Sequence, residues 1–241
     1  MKPYEYIPPP AEALLAPAVL RTRQESPYVD LLSLVFWTAI ACLVIFTSKT
    51  AYGQLLGLFP AALPFLPPLF QYWEERANQR QIQFLKTYTF PSLIEERVKE
   101  RYPHLSAEQL SLVTLGLRQF FLLSKTSGRP LSMPSRVVDA AWHEFILLTR
   151  EYADFCREGM GRFLHHTPNE SIHSICNNGG RNGRNIWQLA CDWEGINAWS
   201  PSQLPFLFQI DTLLNIPDGI THSLDAYEEE MNFQCATGYL S

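Results

Sequence analysis

Apolar positions fall into two regimes along this chain. From 31 to 48 (LLSLVFWTAIACLVIFTS) 18 consecutive residues carry no charge, and after Lys49 a second uncharged run, 50–73, continues around Pro60, Pro64, Pro67 and Pro68. Beyond residue 74 apolar side chains instead recur at steps of three and four between charged ones. The first run is apolar all round, which predicts a helix solvated by hydrocarbon; at about 1.5 Å per residue it nearly matches a bilayer core of about 30 Å. The second is long enough to cross, but each proline frees a carbonyl that lipid cannot satisfy, so a kinked span and a re-entrant segment both fit.

Flanking residues orient this hairpin. Tyr28 precedes the first run, Tyr72 and Trp73 close the second, and Tyr52 sits in the turn, as aromatic anchors at two interfaces would. Lys2, Arg21 and Arg23 lie before it and Arg76, Arg80 and Lys86 after it, against Lys49 alone in the turn. The positive-inside rule then places both ends in the cytoplasm. Residues 1–28, with Glu5, Glu12, Glu25 and several prolines, read as a flexible Pro-rich arm and not as a cleavable signal.

Residues 74–241 predict a compact multi-helix soluble domain, and the fold class is all-α with no alternating strand pattern. A polar helix leaves the hairpin at WEERANQRQIQFLKTYTF, and PSLIEERVKERYP is bounded by Pro91 and Pro103. Ser106 and Gln109 form a capping box ahead of Leu110, Val113, Leu117 and Phe121, and Gly128 ends that helix. The next helix is expected from about Ser135 to Glu158, with Val138, Trp142, Phe145, Leu148, Tyr152 and Phe155 on one face. A polar loop, TPNESIHSICNNGGRNGRN, leads to IWQLACDWEGI, and a second capping box at Ser200 and Gln203 opens LPFLFQIDTLLNI.

Composition narrows the chemistry. A formal net charge of −5 and no basic run alternating with aromatics exclude nucleic acid as a partner. The five cysteines form no CxxC pair and no dense disulfide spacing, in keeping with a reducing compartment.

Candidate site residues gather in DAAWHEFILLTREYADFC and the following GRFLHH. In a helix Asp139 and His143 are one turn apart on one face, so the carboxylate can orient the imidazole or both can ligate one ion. A third ligand would come from His165 or His166, if the chain turns back at Gly159 and Gly161. Cys156 lies about 20 Å further along a continuous helix, so it shares an ion with them only if the helix breaks; otherwise it is a buried small hydrophobe. His143-Glu144 begins like HExxH, but position 147 is Leu, so that zinc-protease motif is absent.

The pattern D-x-x-W-H, then Tyr152, Cys156 and G-R-F-L-x-H ending at His166, resembles the glycine-rich-domain proteins of plants and their bacterial membrane-associated relatives over about residues 131–168. Two features depart from it: Phe145 stands where the plant pattern has a second His, and no glycine-rich tail follows Asp211. The resemblance implies a domain identity and no particular reaction.

The sequence thus predicts a membrane hairpin (29–73) in the inner, cytoplasmic membrane and a cytoplasmic helical domain (74–241). Its function is expected to be that of a binding or scaffolding module held at the bilayer to meet a protein partner, with His143 either a structural histidine hydrogen-bonded near the core or a ligand of a stabilising divalent transition metal such as zinc. Asp139, His143, His166, His165 and Cys156 are the ligand candidates. A metal-dependent enzyme using Asp139, His143 and His166 is the alternative.

Overall fold

The computed structural model describes residues 39–40, 42–43, 46–47, 66–166 and 186–225. Among these every regular element is helical. Helix α1 is Leu66–Thr87, α2 Ser92–Arg101, α3 Ala107–Ser127, α4 Arg136–Leu147 and α5 Thr149–Phe155. A π turn (Cys156–Met160) follows α5, and α6 (Ile186–Glu194) and α7 (Phe206–Leu213) complete the order. The chain divides into two compact units with a boundary between Arg80 and Gln81, within α1.

Helix α1 runs unbroken through the expected boundary at 73/74. Pro67 and Pro68 fall in its first turn, where a missing N–H leaves no intrahelical bond unmade. Among the described residues no helix is long and apolar enough to cross a membrane. The first hydrophobic run lies outside the described residues apart from six helical positions, and so does the second run up to residue 65.

In the unit beginning at Gln81, local signals set several helix ends. Ser106 and Gln109 make the reciprocal capping box of α3, and Gly128 ends that helix with a left-handed φ of 65°. The expected box at Ser200 and Gln203 does not start α7. A helix begun there would carry Pro205 in its second turn, where the ring clashes and a bond is lost; α7 begins instead just after Pro205. Its first N–H, of Phe206, is capped by the Glu194 carboxylate at 2.9 and 3.1 Å, supplied from the end of α6.

Helix α3 lies at the centre, its Val113, Leu117, Phe120 and Phe121 buried and in contact with α2, α4, α6 and α7. Gly116 lets α7 and α4 approach it: a Cβ there would stand 3.0 Å from Val138 Cγ2 and 3.4 Å from Ile210 Cδ1. Around Phe155 the rings of Tyr88, Phe121 and Phe145 sit with centroids at 4.8, 4.8 and 5.1 Å. Each such pair adds about 0.5–1.5 kcal/mol beyond area burial, and together they fix α5 against α3 and α4.

Candidate metal centre

Helix α4 starts where it does because two side chains satisfy its free N–H groups. Ser135 caps it, accepting from Val138 N at 3.2 Å. Beneath the cap, the buried Asp211 carboxylate of α7 accepts four bonds: Ser135 Oγ at 2.7 Å, Arg136 N at 2.7 Å, Val137 N at 3.1 Å and Ile220 N at 2.8 Å. A carboxylate at a helix N-terminus also meets the positive end of the helix dipole. Asp211 thereby fixes the start of the helix that carries Asp139 and His143.

The expected continuous helix from Ser135 to Glu158 is interrupted. Leu148, at φ −80° and ψ 64°, ends α4 by donating its N–H to Phe145 O and begins α5 by accepting from Tyr152 N. The apolar stripe keeps its phase across the break, with Phe145, Tyr152 and Phe155 all buried. The π turn then closes at Gly161, whose φ of 70° is the left-handed conformation that reverses the chain. Gly159 serves a close approach instead, since a Cβ there would stand 2.6 Å from Leu85 Cδ2 and 3.0 Å from Phe84 Cδ1, so a larger residue would displace those side chains or the turn. Lys125 Nζ ties the same corner together, donating to Met160 O at 3.3 Å and Gln81 Oε1 at 2.6 Å. Burial and the nearby Arg162 charge hold the pKa of that ammonium below its ordinary value.

Residues 163–166 return to α4 without regular secondary structure, and their exposure alternates. Leu164 and His166 turn inward; Phe163 and His165 turn outward and face each other with ring centroids 5.0 Å apart. His166 Nε2 lies 2.7 Å from Asp139 Oδ1, and His143 Nδ1 lies 3.4 Å from Asp139 Oδ2. The two imidazoles sit with centroids 4.2 Å apart. One ligand atom from each of Asp139, His143 and His166 falls within 4.8 Å of the others, the spacing at which three donors can share an ion. Exposure is graded: 9% for the His166 side chain, 21% for Asp139 and 47% for His143, so the cluster opens to solvent on the His143 side.

Of the five residues expected at a site, the fold thus brings three together. His165 is exposed beside Phe163 and faces away from them. Cys156 is buried and hydrogen-bonds to the backbone of Leu164 and to Tyr152; burial pushes its thiol pKa up, and its sulfur is not among the ligand atoms that converge. The helix break at Leu148 therefore does not deliver it to the cluster.

Beneath the ligands lies a layer that periodicity identifies only as core. Trp142 donates Nε1–H to the Tyr152 hydroxyl at 3.1 Å, and that hydroxyl donates to Leu164 O at 2.6 Å. Burial raises the Tyr152 pKa strongly, so the hydroxyl keeps the proton it donates. The edge of Trp142 meets His166 at a centroid distance of 4.5 Å. On the flank of α4 a groove of about 590 Å³ is lined by Leu93, Arg97, Arg101, Glu144, Leu147 and Leu148; none of the three clustered residues lines it.

Comparison with known proteins places the chain in a family. The UCP032817-like family model matches residues 80–239, about two thirds of the chain, and the protein belongs to that family. This overturns the glycine-rich-domain resemblance, which rested on about residues 131–168. The residues that suggested it are explained by this domain's own packing: Trp142 and Tyr152 hold the returning segment, Gly161 reverses the chain, and Cys156 is core. No curated protein and no solved structure matches the chain.

Proposed function

We propose that this domain binds one divalent transition-metal ion, such as zinc, through Asp139, His143 and His166, and presents open coordination positions to an exogenous ligand. The observation that carries the reading is the convergence of three donors from segments 27 positions apart, with ligand atoms within 4.8 Å. Two imidazoles and a carboxylate form a donor set typical of ions that keep open positions, whereas closed structural zinc sites use four protein ligands rich in Cys. The metal joins the segment ending at His166 to α4, which suits a binding module. The solvent-facing edge at His143, 47% exposed, favours a second reading of the same centre as a metal-dependent enzyme.

The test is a Co²⁺ titration of the full chain followed by visible absorption. One equivalent should give a d–d spectrum that His143→Ala and His166→Ala each abolish, and added azide should shift it by entering an open position. A spectrum unmoved by azide would leave a closed structural ion, and the lack of any Co²⁺ spectrum would end the reading. Turnover of ester or phosphoester substrates that depends on the metal and is lost in His143→Ala would move the conclusion to the enzyme.

We further propose that the segment before α1 tethers the domain to the cytoplasmic face of a bilayer, where it meets a protein partner. Support comes from the two uncharged runs and from exposed Phe70, Tyr72 and Trp73 on α1, followed by Arg76 and Arg80. Membrane fractionation with alkaline extraction checks this: the chain should stay in the pellet, and release into the supernatant would refute it.

A further inference from the structure

We infer that Tyr152 is a positioning residue of the Asp139/His143/His166 centre: its hydroxyl sets where His166 stands by holding the segment that carries it. This rests on the metal reading above and adds what determines the geometry of that centre. His166 lies on a strip without regular secondary structure, residues 163–166, whereas the other two ligands lie on a helix with its own hydrogen bonds. The strip therefore depends on bonds from other segments, and the Tyr152 hydroxyl supplies one of them, beside the Cys156 thiol that also bonds to the Leu164 backbone. Its O–H donates to Leu164 O, two residues before His166, at 2.6 Å, while its oxygen accepts Trp142 Nε1–H at 3.1 Å. Both bonds are buried, so water does not substitute for them.

Trp142 closes the loop. It is the residue immediately before His143, its indole bonds to the hydroxyl that holds Leu164, and its edge packs on the His166 ring at 4.5 Å. A single phenol oxygen thus connects the helix bearing two ligands with the strip bearing the third. Supports that orient a metal ligand from behind commonly change metal affinity by about 10- to 100-fold when removed.

Tyr152→Phe removes that oxygen and little else. The decisive measurement is the Co²⁺ dissociation constant of the full chain for wild type, Tyr152→Phe and Val113→Ala, at a temperature where circular dichroism shows all three folded. Val113 is a buried aliphatic residue of α3 with no polar atom to offer the ligands, so it controls for a general loss of stability. The expected result is affinity weakened at least about tenfold in Tyr152→Phe and unchanged in Val113→Ala. Hydrogen exchange of metal-free protein gives a second readout: the amides of residues 163–166 should exchange faster in Tyr152→Phe while those of α3 keep their protection. Affinity within twofold of wild type, or an equal loss in Val113→Ala, overturns the positioning role alone. A wild-type chain that takes up no Co²⁺ overturns the metal reading and this inference together.

Discussion

Removing the carboxylate of Asp211 should severely destabilise the domain. The side chain is 3% exposed and accepts four hydrogen bonds, from Ser135 Oγ and from the backbone N–H groups of Arg136, Val137 and Ile220. Asp211→Ala leaves four donors without their acceptor in a buried place. At about 1–3 kcal/mol for each orphaned group the simple sum overshoots, since water enters and neighbours relax; a loss of about 3–5 kcal/mol is expected. Asp211→Asn keeps one acceptor oxygen and turns an NH₂ toward two of the donors, so its loss should fall at about 2–4 kcal/mol. Ser135→Ala alone removes one donor and a cap, about 1 kcal/mol. In combination with Asp211→Asn it should cost less than the sum, because the two share a bond. Urea denaturation of the full chain, followed by far-ultraviolet circular dichroism, measures all of these. A loss below about 1 kcal/mol for Asp211→Ala would refute the reasoning, since that is the range of an exposed cap and not of a buried clamp.

Gly159→Ala puts a Cβ 2.6 Å from Leu85 Cδ2, so that side chain or the π turn must shift; a loss of about 1–3 kcal/mol in the same assay is expected, and a neutral effect would contradict the close seating. Burial pushes the Glu194 pKa above the ordinary carboxyl value, so the folded protein keeps that proton to higher pH than the unfolded chain. Its contribution is therefore full at low pH and is lost as pH rises from the ordinary carboxyl range through the folded pKa. Wild type should lose stability relative to Glu194→Gln over that window, and a constant difference would disprove it. Burial raises the Cys191 thiol to about 12 and pushes Cys156 up as well. Peptide mapping after iodoacetamide treatment should find both unlabelled in native protein and labelled in denaturant; labelling of either in native protein would contradict their burial.

What the sequence disclosed and what it hid follow from the range of the interactions concerned. Helices α2 and α3 were readable because their ends are marked within a few residues, by Pro91 and by Ser106, Gln109 and Gly128. The break at Leu148 was hidden because Phe145, Tyr152 and Phe155 stay in phase across it, so periodicity registers no discontinuity. The start of α7 was misplaced because its cap, Glu194, comes from another helix, while the local Ser200 signal is overruled by Pro205. Composition divided the chain at 73/74, yet backbone hydrogen bonding ignores side-chain polarity and α1 runs through that point. At the centre, spacing was enough to pair Asp139 with His143 and to allow a return to residue 166. Which of His165 and His166 faces inward depends on how residues 163–166 lie against α4, and Tyr152 helps to hold them through one oxygen that apolar patterning counts as core.

The Asp211 clamp also limits how far the centre can be moved as a unit. The three clustered residues lie between residues 139 and 166, so a segment of about thirty residues spans them. The carboxylate that starts the helix of Asp139 and His143 comes from α7, more than forty positions beyond that segment. Transplanted into another scaffold, that short segment would arrive with its ligands but without the anchor for its first turn. The centre is a property of the whole domain, and any shortened version has to retain the chain through Ile220.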